Sequence, residues 1–425
     1  MKRRWLAVAV ASAVLTLVAG MLVLNVSSGE KKIEQAVERA YGTHDPQFRR
    51  AMGALLGPAI VDGNRVQTLV NGDAIFAAML AAIRQARRTV TFETYIYWSE
   101  SIGREFADAL SERARAGVKV HVLVDWVGSS KMEERYLDAM KAAGVQLVRY
   151  HRPHWSNLQR MNNRTHRKVL VVDGQVGFTG GVGIADKWRG NAQDENHWRD
   201  THFRVEGPVV AQMQSVFMDN WIKATGHVLH GEDYFPALAP RGGESAQMFS
   251  SSPTSGSESM HLMYLMAITA ATRTIHLSSS YFVPDELVVR TLVAAARRGV
   301  TIRIVVPGPD IDTAIVRRAS RARWGPLLEA GVRIAEYQPT MFHCKVLVVD
   351  GLMVSVGSTN FDNRSFRLND EANLNVLSAE VARRQVELFE RDDAQSRPVT
   401  LEAWRARPWH EKAMEHAASL LGSQL

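Results

Sequence analysis

A short hydrophobic strand with a histidine and a lysine at its entrance occurs twice in this 425-residue chain. The residues at matching positions are His166, Lys168 and Asp173 in the first copy and His343, Lys345 and Asp350 in the second. The spacing from histidine to lysine, from lysine to aspartate, and from aspartate to the next turn glycine (Gly180 or Gly357) is the same in both copies. Such a repeat indicates a duplicated fold.

Each copy is predicted to be a β-strand. The valine- and leucine-rich run after the lysine is too short for a helix, and an Asp-Gly pair typical of a tight turn closes it. Side chains two apart on a strand share a face, so the histidine and lysine of each pair project together. Asp173 and Asp350 lie an odd number of residues further on, at the turn. We therefore expect these aspartates to have a structural role outside the pocket.

The duplication extends to a strand–helix–strand unit. In the first half it covers residues 89–95, 106–115 and 116–125, and in the second half residues 274–281, 287–297 and 298–306. Strands that alternate with helices imply mainly parallel or mixed sheets that are covered on both faces. We predict two α/β repeats related by a pseudo-twofold axis, with the functional site at their seam.

A stretch rich in proline, glycine and serine, residues 232–259, marks the linker between the repeats. It predicts a first repeat over residues 29–245 and a second over residues 246–425, with an N-terminal segment over residues 1–28. The basic, tryptophan-containing stretch at 404–410 and the residues after it are expected to form a terminal helix packed on the second repeat.

The paired motif resembles the phospholipase D superfamily, whose two His-x-Lys motifs meet in one active site. Within it, four stretches are similar to bacterial cardiolipin synthases: residues 92–97, 180–184, 198–202 and 360–369. This resemblance implies a phosphatidyltransferase with a phosphatidyl-histidine intermediate and no cofactor or metal. Asp173 and Asp350 are candidate site residues because the family motif includes them.

The chemistry explains why two histidines and two lysines occur together. One histidine can attack the phosphorus of a phosphodiester, while the other protonates the leaving oxygen and then deprotonates the acceptor hydroxyl. Two lysines can neutralise the charge that develops on the phosphate oxygens, which a divalent metal does in other phosphoryl-transfer sites. The resemblance favours His166 as the nucleophile and His343 as the general acid and base.

Supporting residues are expected downstream of each motif. Ser358 and Asn360 follow a glycine turn and are candidate hydrogen-bond donors to phosphate oxygens. Gly181 and Gly183 occupy the matching positions of the first copy. The site should therefore be asymmetric, with backbone amides of residues 180–183 in place of the missing side-chain donors and with glycines that let the backbone approach phosphorus closely.

A carboxylate at Nδ1 of each histidine would fix its tautomer and stabilise the imidazolium. The superfamily commonly has a glutamate there, which Glu371 matches. Asp200 is the corresponding candidate in the first half, and Glu195 is a weaker alternative.

The N-terminus predicts a membrane anchor. Three basic residues precede an apolar run over residues 5–26, which is long enough to cross a hydrocarbon core of about 30 Å. A cleaved signal peptide is the alternative, although the run exceeds the usual length of roughly 7–15 residues. The positive-inside tendency places the catalytic body outside the bacterial inner membrane, in the periplasm, although Lys31 and Lys32 weaken this assignment.

The net charge of the chain limits which partners it can bind. The net charge of +7 suits an anionic membrane or nucleic acid, and the anchor favours the membrane with phospholipid substrates, phosphatidylglycerol first. No nucleic acid is expected as a partner.

The single cysteine, Cys344, lies on the opposite strand face from His343 and Lys345 and is predicted to be a buried hydrophobic residue.

Three hypotheses follow: a membrane-anchored cardiolipin-forming transferase, a phosphodiesterase or nuclease with the same site, and an inactive membrane-binding module. The first is favoured, and the intact His-Lys pairs argue against the third. The residues leave open the phosphatidyl donor, the acceptor and the oligomeric state.

Overall fold

The computed structural model describes residues 2–26, 33–150, 163–253, 258–422 and 424. Its helices are α1 (Lys2–Val26), α2 (Pro46–Leu56), α3 (Asn71–Gln85), α4 (Ser101–Arg115), α5 (Glu134–Ala142), α6 (Val209–Thr225), α7 (Ser259–Ala270), α8 (Glu286–Arg297), α9 (Ala314–Ala322), α10 (Trp324–Glu329), α11 (Asn363–Arg367), α12 (Ala379–Ala394), α13 (Leu401–Arg405) and α14 (Trp409–Ser419), with a 3₁₀ turn at Asp186–Trp188.

The strands of the first half are β1 (Val61–Val70), β2 (Thr89–Thr94), β3 (Lys119–Asp125), β4 (Gln146–Tyr150), β5 (Arg164–Thr165), β6 (Val169–Val172), β7 (Val176–Gly180) and β8 (Thr201–Glu206). Those of the second half are β9 (Glu244–Ser251), β10 (Thr274–Ser279), β11 (Phe282–Val283), β12 (Thr301–Pro307), β13 (Arg333–Tyr337), β14 (Lys345–Val349), β15 (Met353–Gly357), β16 (Phe361–Asp362), β17 (Asn369–Leu377) and β18 (Ser396–Val399).

One mixed sheet runs through the whole molecule and contains 16 of the described strands. From its centre outwards, the first half has the order β1-β8-β7-β6-β2-β3-β4, and the second has β9-β17-β15-β14-β10-β12-β13, with β18 added at the edge. The two orders correspond strand for strand. This correspondence confirms the predicted α/β fold built from two repeats.

The two repeats meet where β1 pairs antiparallel with β9. Because β9 begins at Glu244 and is the counterpart of β1, the predicted boundary near residue 245 falls at the first strand of the second repeat. The short strand β5 leaves the first repeat and pairs in parallel with the beginning of β17, in the second. This crossover brings the segment before His166 against the other repeat.

Hydrophobic side chains cover both faces of the sheet. On one face, each repeat has its own core beneath its helices, around Phe92 and Phe106 in the first repeat and around Leu277 and Leu292 in the second. On the other face, valines from β6 and β14 share a single core beneath α6 and α12. Fully burying one such side chain contributes about 1.5–3 kcal/mol, so this shared core fixes the repeats against each other.

The terminal helix α14 packs on α9 of the second repeat, as predicted for the end of the chain. At the other end, α1 is exposed over its described side chains. Its segment Arg3–Gly20 is the one candidate membrane span among the described helices, by length and composition. Residues 1, 27 and 28 of the predicted anchor lie outside the described residues.

Candidate active site

Each histidine is held by a segment of the opposite repeat. The backbone N–H of His166 donates to the carbonyl of Asp370 at 2.9 Å, and the backbone N–H of His343 donates to the carbonyl of Arg199 at 2.8 Å. These two carbonyls immediately precede Glu371 and Asp200 in the chain. The pseudo-twofold relation therefore brings each histidine beside the carboxylate of the other repeat.

The histidine and carboxylate side chains also pair across the two repeats. Nδ1 of His166 lies 3.0 Å from Oε1 of Glu371, and Nδ1 of His343 lies 2.7 Å from Oδ2 of Asp200. The sequence predicted both carboxylates as partners of the histidines without indicating which histidine each one serves. In the structure both His–carboxylate pairs span the seam, so Glu371 serves His166 and Asp200 serves His343. In both pairs Nε2 is left as the ring nitrogen that can react.

Ser358 supports Glu371 and does not face a substrate. Its hydroxyl donates to Oε2 of Glu371 and accepts a hydrogen bond of 3.0 Å from the backbone N–H of Ala372. This corrects the expectation that Ser358 donates to phosphate. Asn360 does line the cavity; its Oδ1 accepts from the hydroxyl of Ser280 at 2.7 Å, so its amide NH₂ is the group suited to donate to a ligand.

Trp188 supports Asp200 in the corresponding way. Its indole N–H donates to Oδ2 of Asp200 at 3.0 Å, and its ring lies edge-on to His343 with centroids 5.1 Å apart. This residue was not predicted from the sequence. It ends the 3₁₀ turn Asp186–Trp188, and no periodicity distinguishes it from a core tryptophan.

The glycines of the first repeat make room for these groups. A Cβ on Gly181 would lie 2.3 Å from Oδ1 of Asp200, and one on Gly183 would lie 2.9 Å from Ile96. The backbone N–H of Gly181 donates to Thr201 at 3.3 Å. This corrects the expectation that these glycines replace the donors of the second repeat or let the backbone reach phosphorus, because Gly181 admits the Asp200 carboxylate.

The two lysines are buried beside the histidines. Nζ of Lys168 donates to the carbonyl of His166 at 2.8 Å, and Nζ of Lys345 donates to the carbonyl of His343 at 2.9 Å and to the hydroxyl of Ser280 at 2.6 Å. Burial lowers the pKa of Lys168 to about 7, against the opposing effect of Glu371. Burial likewise lowers the pKa of Lys345. An anionic ligand would offset this desolvation and favour the charged ammonium form of both lysines.

Burial also controls the protonation of the histidines. It lowers the pKa of His166 to about 4, and burial together with the charge of Lys345 lowers the pKa of His343 to about 4. Burial acts to raise the pKa of Glu371 and of Asp200, but hydrogen bonds and neighbouring positive charge outweigh it, and both pKa values are lowered. Near neutral pH both imidazoles are therefore neutral, and each is oriented by an ionised carboxylate.

Both His-Lys pairs border one cavity of about 400 Å³. His166, Lys168 and His343 line it directly, and Lys345 lies against His343 at 3.2 Å. Aromatic rings of Tyr95, Trp188 and Trp198 form one part of its wall. Four charged side chains also line it, namely Arg164, Arg364, Asp312 and Asp362. The cavity thus combines an apolar wall with polar groups of both signs, as ligand pockets commonly do.

Asp173 and Asp350 lie at the turn that follows each strand, at the opposite end from its histidine. The carboxylate of Asp173 accepts hydrogen bonds from the backbone N–H groups of residues 87–89, and that of Asp350 from those of residues 272–274. Both have a positive φ, of 52° and 54°, at the turn. These family-motif residues fix the turn to the neighbouring strand and do not reach the cavity.

The side chains of the remaining candidate residues do not contact the two histidine side chains. Glu195 is exposed, so Asp200 is the carboxylate that serves His343. Cys344 is 2% exposed and packs with Val305 and Phe389, which agrees with its predicted strand face. Burial raises the pKa of the Cys344 thiol to about 12. Within the described ranges, no three His, Cys, Asp or Glu side chains are grouped to bind one metal ion.

Comparison with known proteins agrees with this geometry. The family model for the cardiolipin synthase PLD-like domain matches residues 79–221 and 264–393. The cardiolipin synthase of Geobacillus kaustophilus is 35% identical over 367 residues, which cover 85% of this chain and 72% of that protein. Cardiolipin synthase A of Pseudomonas fluorescens is 37% identical over 357 residues, covering 84% of this chain and 74% of the relative.

The fold has a counterpart among solved structures. The phosphatidylserine synthase of Haemophilus influenzae superposes with a TM-score of 0.67 at 14% identity, covering 89% of this chain and all of that one. At this identity the likeness concerns the fold alone. The family model and the sequence relatives carry the assignment, and they show that the chain belongs to the cardiolipin synthase family of phospholipase D-like proteins.

Proposed function

We propose that this protein is a membrane-associated phosphatidyltransferase that makes cardiolipin from phosphatidylglycerol or a related phospholipid acceptor. The observation that carries the proposal is the exchanged pairing at the seam, where two neutral histidines border one cavity and each is oriented by the carboxylate of the other repeat. A phosphodiester exchange through an enzyme-bound intermediate needs two such groups, one to attack phosphorus and one to move a proton.

In the proposed first step, Nε2 of His166 attacks the phosphorus of the donor lipid. The bond from phosphorus to the leaving glycerol oxygen breaks, and protonated His343 transfers its proton to that oxygen. His166 now carries the phosphatidyl group. The negative charge of the bound phosphodiester favours the protonated state of His343 and so opposes the effect of burial, which lowers the pKa of this histidine.

In the second step, neutral His343 accepts the proton of the acceptor hydroxyl, whose oxygen attacks phosphorus and displaces His166. With phosphatidylglycerol as both donor and acceptor, the products are cardiolipin and glycerol. Lys168 and Lys345 stabilise the charge on the phosphate oxygens in both steps. Glu371 and Asp200 hold each imidazole in the tautomer with Nε2 towards phosphorus and stabilise its positive charge.

We further propose that α1 anchors the protein in the bacterial inner membrane by a single pass, with the catalytic body on the periplasmic side. The candidate span Arg3–Gly20 supports the anchor. The basic residues Lys2, Arg3 and Arg4 at its N-terminal end support this orientation. Removal of residues 1–28 should abolish salt-resistant membrane association while lipid chemistry in detergent persists. A reporter fused after residue 425 that is active only in the cytoplasm would show that the orientation is the opposite of the one proposed.

Reconstitution with defined phospholipid pairs and mass spectrometry of the products tests the proposed function. Phosphatidylglycerol alone should yield cardiolipin and glycerol, and the His166→Ala protein should yield neither. Release of phosphatidic acid as the main product, with water as the acceptor, would favour the alternative of a phospholipase D-type phosphodiesterase. Cleavage of nucleic acid in preference to lipid would favour a nuclease.

A further inference from the structure

Exposed apolar side chains are concentrated on two packed helices of the second repeat. Outside α1, ten large hydrophobic residues of the described chain are exposed, and five of them lie on α9, on α14 or directly after α14. These five are Ile315, Trp409, Met414, Leu420 and Leu421, and we refer to them as the rim surface. Trp409 is 81% exposed and Leu420 is 72% exposed. Clustered exposure of this kind marks an interaction site more often than scattered single residues do.

The rim surface begins at the mouth of the candidate active site. On α9, Ile315 lies between Thr313 and Val316, which both line the cavity. After α14, Gln424 also lines the cavity, three residues beyond Leu421. A ligand that contacts the rim surface would therefore lie directly beside the entrance to the catalytic groups.

Hydrogen bonds fix this segment to the wall of the cavity. The amide of Asn363 donates to the carbonyl of Gly422 at 2.9 Å, and the guanidinium of Arg364 donates to the carbonyl of Gln424 at 3.1 Å. Leu420 and Leu421 therefore remain exposed at a defined place beside the mouth.

The charges of α14 are arranged for an anionic partner. Both of its acidic residues form ion pairs: Arg321 lies 3.3 Å from Glu415 and 3.7 Å from Glu411, and Arg407 also binds Glu415, which is buried. Lys412 and His416 stay exposed among the apolar residues. An exposed helical face with large apolar residues and basic groups is typical of helices that lie at the surface of a bilayer.

We propose that the rim surface docks on an anionic lipid bilayer and delivers phospholipid from that bilayer into the cavity. The proposal rests on the proposed function, because a lipid substrate must leave the membrane to reach the buried histidines. Weak binding of the rim surface to the bilayer is sufficient, because α1 already holds the catalytic body close to the membrane and makes the second contact intramolecular. The rim surface then determines which face of the body meets the lipid.

Site-directed spin labelling of the full-length chain in phosphatidylglycerol-containing nanodiscs tests the contact. The one native cysteine is buried, so a nitroxide will react at a cysteine introduced by Leu421→Cys or, as a control, by Val228→Cys at an exposed position outside the rim surface. The Leu421→Cys label should be relaxed more by lipid-soluble oxygen than by a water-soluble nickel complex, and the control label should show the reverse. Dominant nickel access at Leu421→Cys overturns the proposal. Protection from both reagents indicates a protein partner and also overturns it.

Turnover provides a second, independent readout. The combined substitutions Leu420→Asp and Leu421→Asp should lower turnover of phosphatidylglycerol in bilayers by about tenfold or more, because charge opposes interfacial binding. Turnover of a water-soluble phosphodiester should be unchanged, and Leu55→Asp, at an exposed residue of α2, should affect neither substrate. Equal loss on both substrates overturns the docking role. If the unmodified chain processes neither substrate, the proposed function fails, while the spin-label result still decides the membrane contact.

Discussion

Asp200 of the first repeat lies 2.7 Å from Nδ1 of His343 in the second, inside a site where neither its carboxylate nor its backbone is exposed. We expect Asp200→Asn to retain the fold and to lower turnover by roughly 10²–10⁴-fold, because the amide can hold the imidazole in the wrong tautomer. Steady-state kinetics measures the loss, and circular dichroism monitors the fold. Glu195→Gln, at the exposed alternative carboxylate, is the matched control and should behave like the unmodified protein. Comparable losses in both variants would contradict this role of Asp200.

Trp188 should act through Asp200. Replacing it by phenylalanine keeps an aromatic ring beside His343 and removes the N–H donor to the carboxylate. A hydrogen bond to a charged group contributes about 1.5–3 kcal/mol, so Trp188→Phe should lower turnover by roughly 10–150-fold. It should also raise the pKa of Asp200 and therefore shift the acid limb of the pH–rate profile upward. A loss of turnover with an unchanged pH profile would indicate that Trp188 only fills space.

The lysines should be essential while divalent metal should not. Loss of one charge contact in the transition state typically costs about 2.7–4 kcal/mol, so Lys345→Ala should lower turnover by roughly 10²–10³-fold. Lys119→Ala removes an exposed lysine at the first residue of β3 and is the control. Excess EDTA should leave the turnover of the unmodified protein largely unchanged. Near-normal turnover of Lys345→Ala would rule out a shared site for both His-Lys pairs.

Acid should destabilise the fold through the same histidines. In the unfolded chain both histidines take up protons near the ordinary pKa of 6.5, whereas in the folded protein their pKa is about 4. The unfolded state therefore binds more protons between these values, and the free energy of unfolding should fall by a few kcal/mol as the pH drops from about 6.5 to about 4. Denaturant titrations of the protein and of His166→Gln/His343→Gln measure this dependence, which should be weaker in the double variant. An equal pH dependence would contradict the neutral state of the buried imidazoles.

Local patterns in the sequence predicted much of the fold and the identity of the central residues. The two-residue spacing of each His-Lys pair predicted that the histidine and the lysine project together, because strand parity depends only on neighbouring positions. It also predicted that Cys344 and the two motif aspartates point elsewhere.

The exchange of partners could not be predicted in this way. It depends on β5 pairing with β17, a contact between segments separated by about half of the chain, and on how the two repeats meet. The roles of Ser358 and Gly181 could not be predicted for a similar reason. Each of these residues contacts a carboxylate that belongs to, or directly precedes, a neighbouring strand. Trp188 was missed because its function lies in one N–H group, which a sequence pattern cannot distinguish from the packing of its ring.

The assignment of different roles to the two histidines is the central claim, and trapping of the covalent intermediate tests it most directly. The His343→Ala protein is mixed with a phosphodiester whose leaving group needs no protonation, quenched rapidly, and digested for peptide mass spectrometry. The account predicts an acid-labile adduct on His166, because only the general acid and the later general base are missing, and no adduct in His166→Ala. An adduct mapped to His343 in the unmodified protein would contradict the assignment, and the absence of label on either histidine would contradict a covalent mechanism.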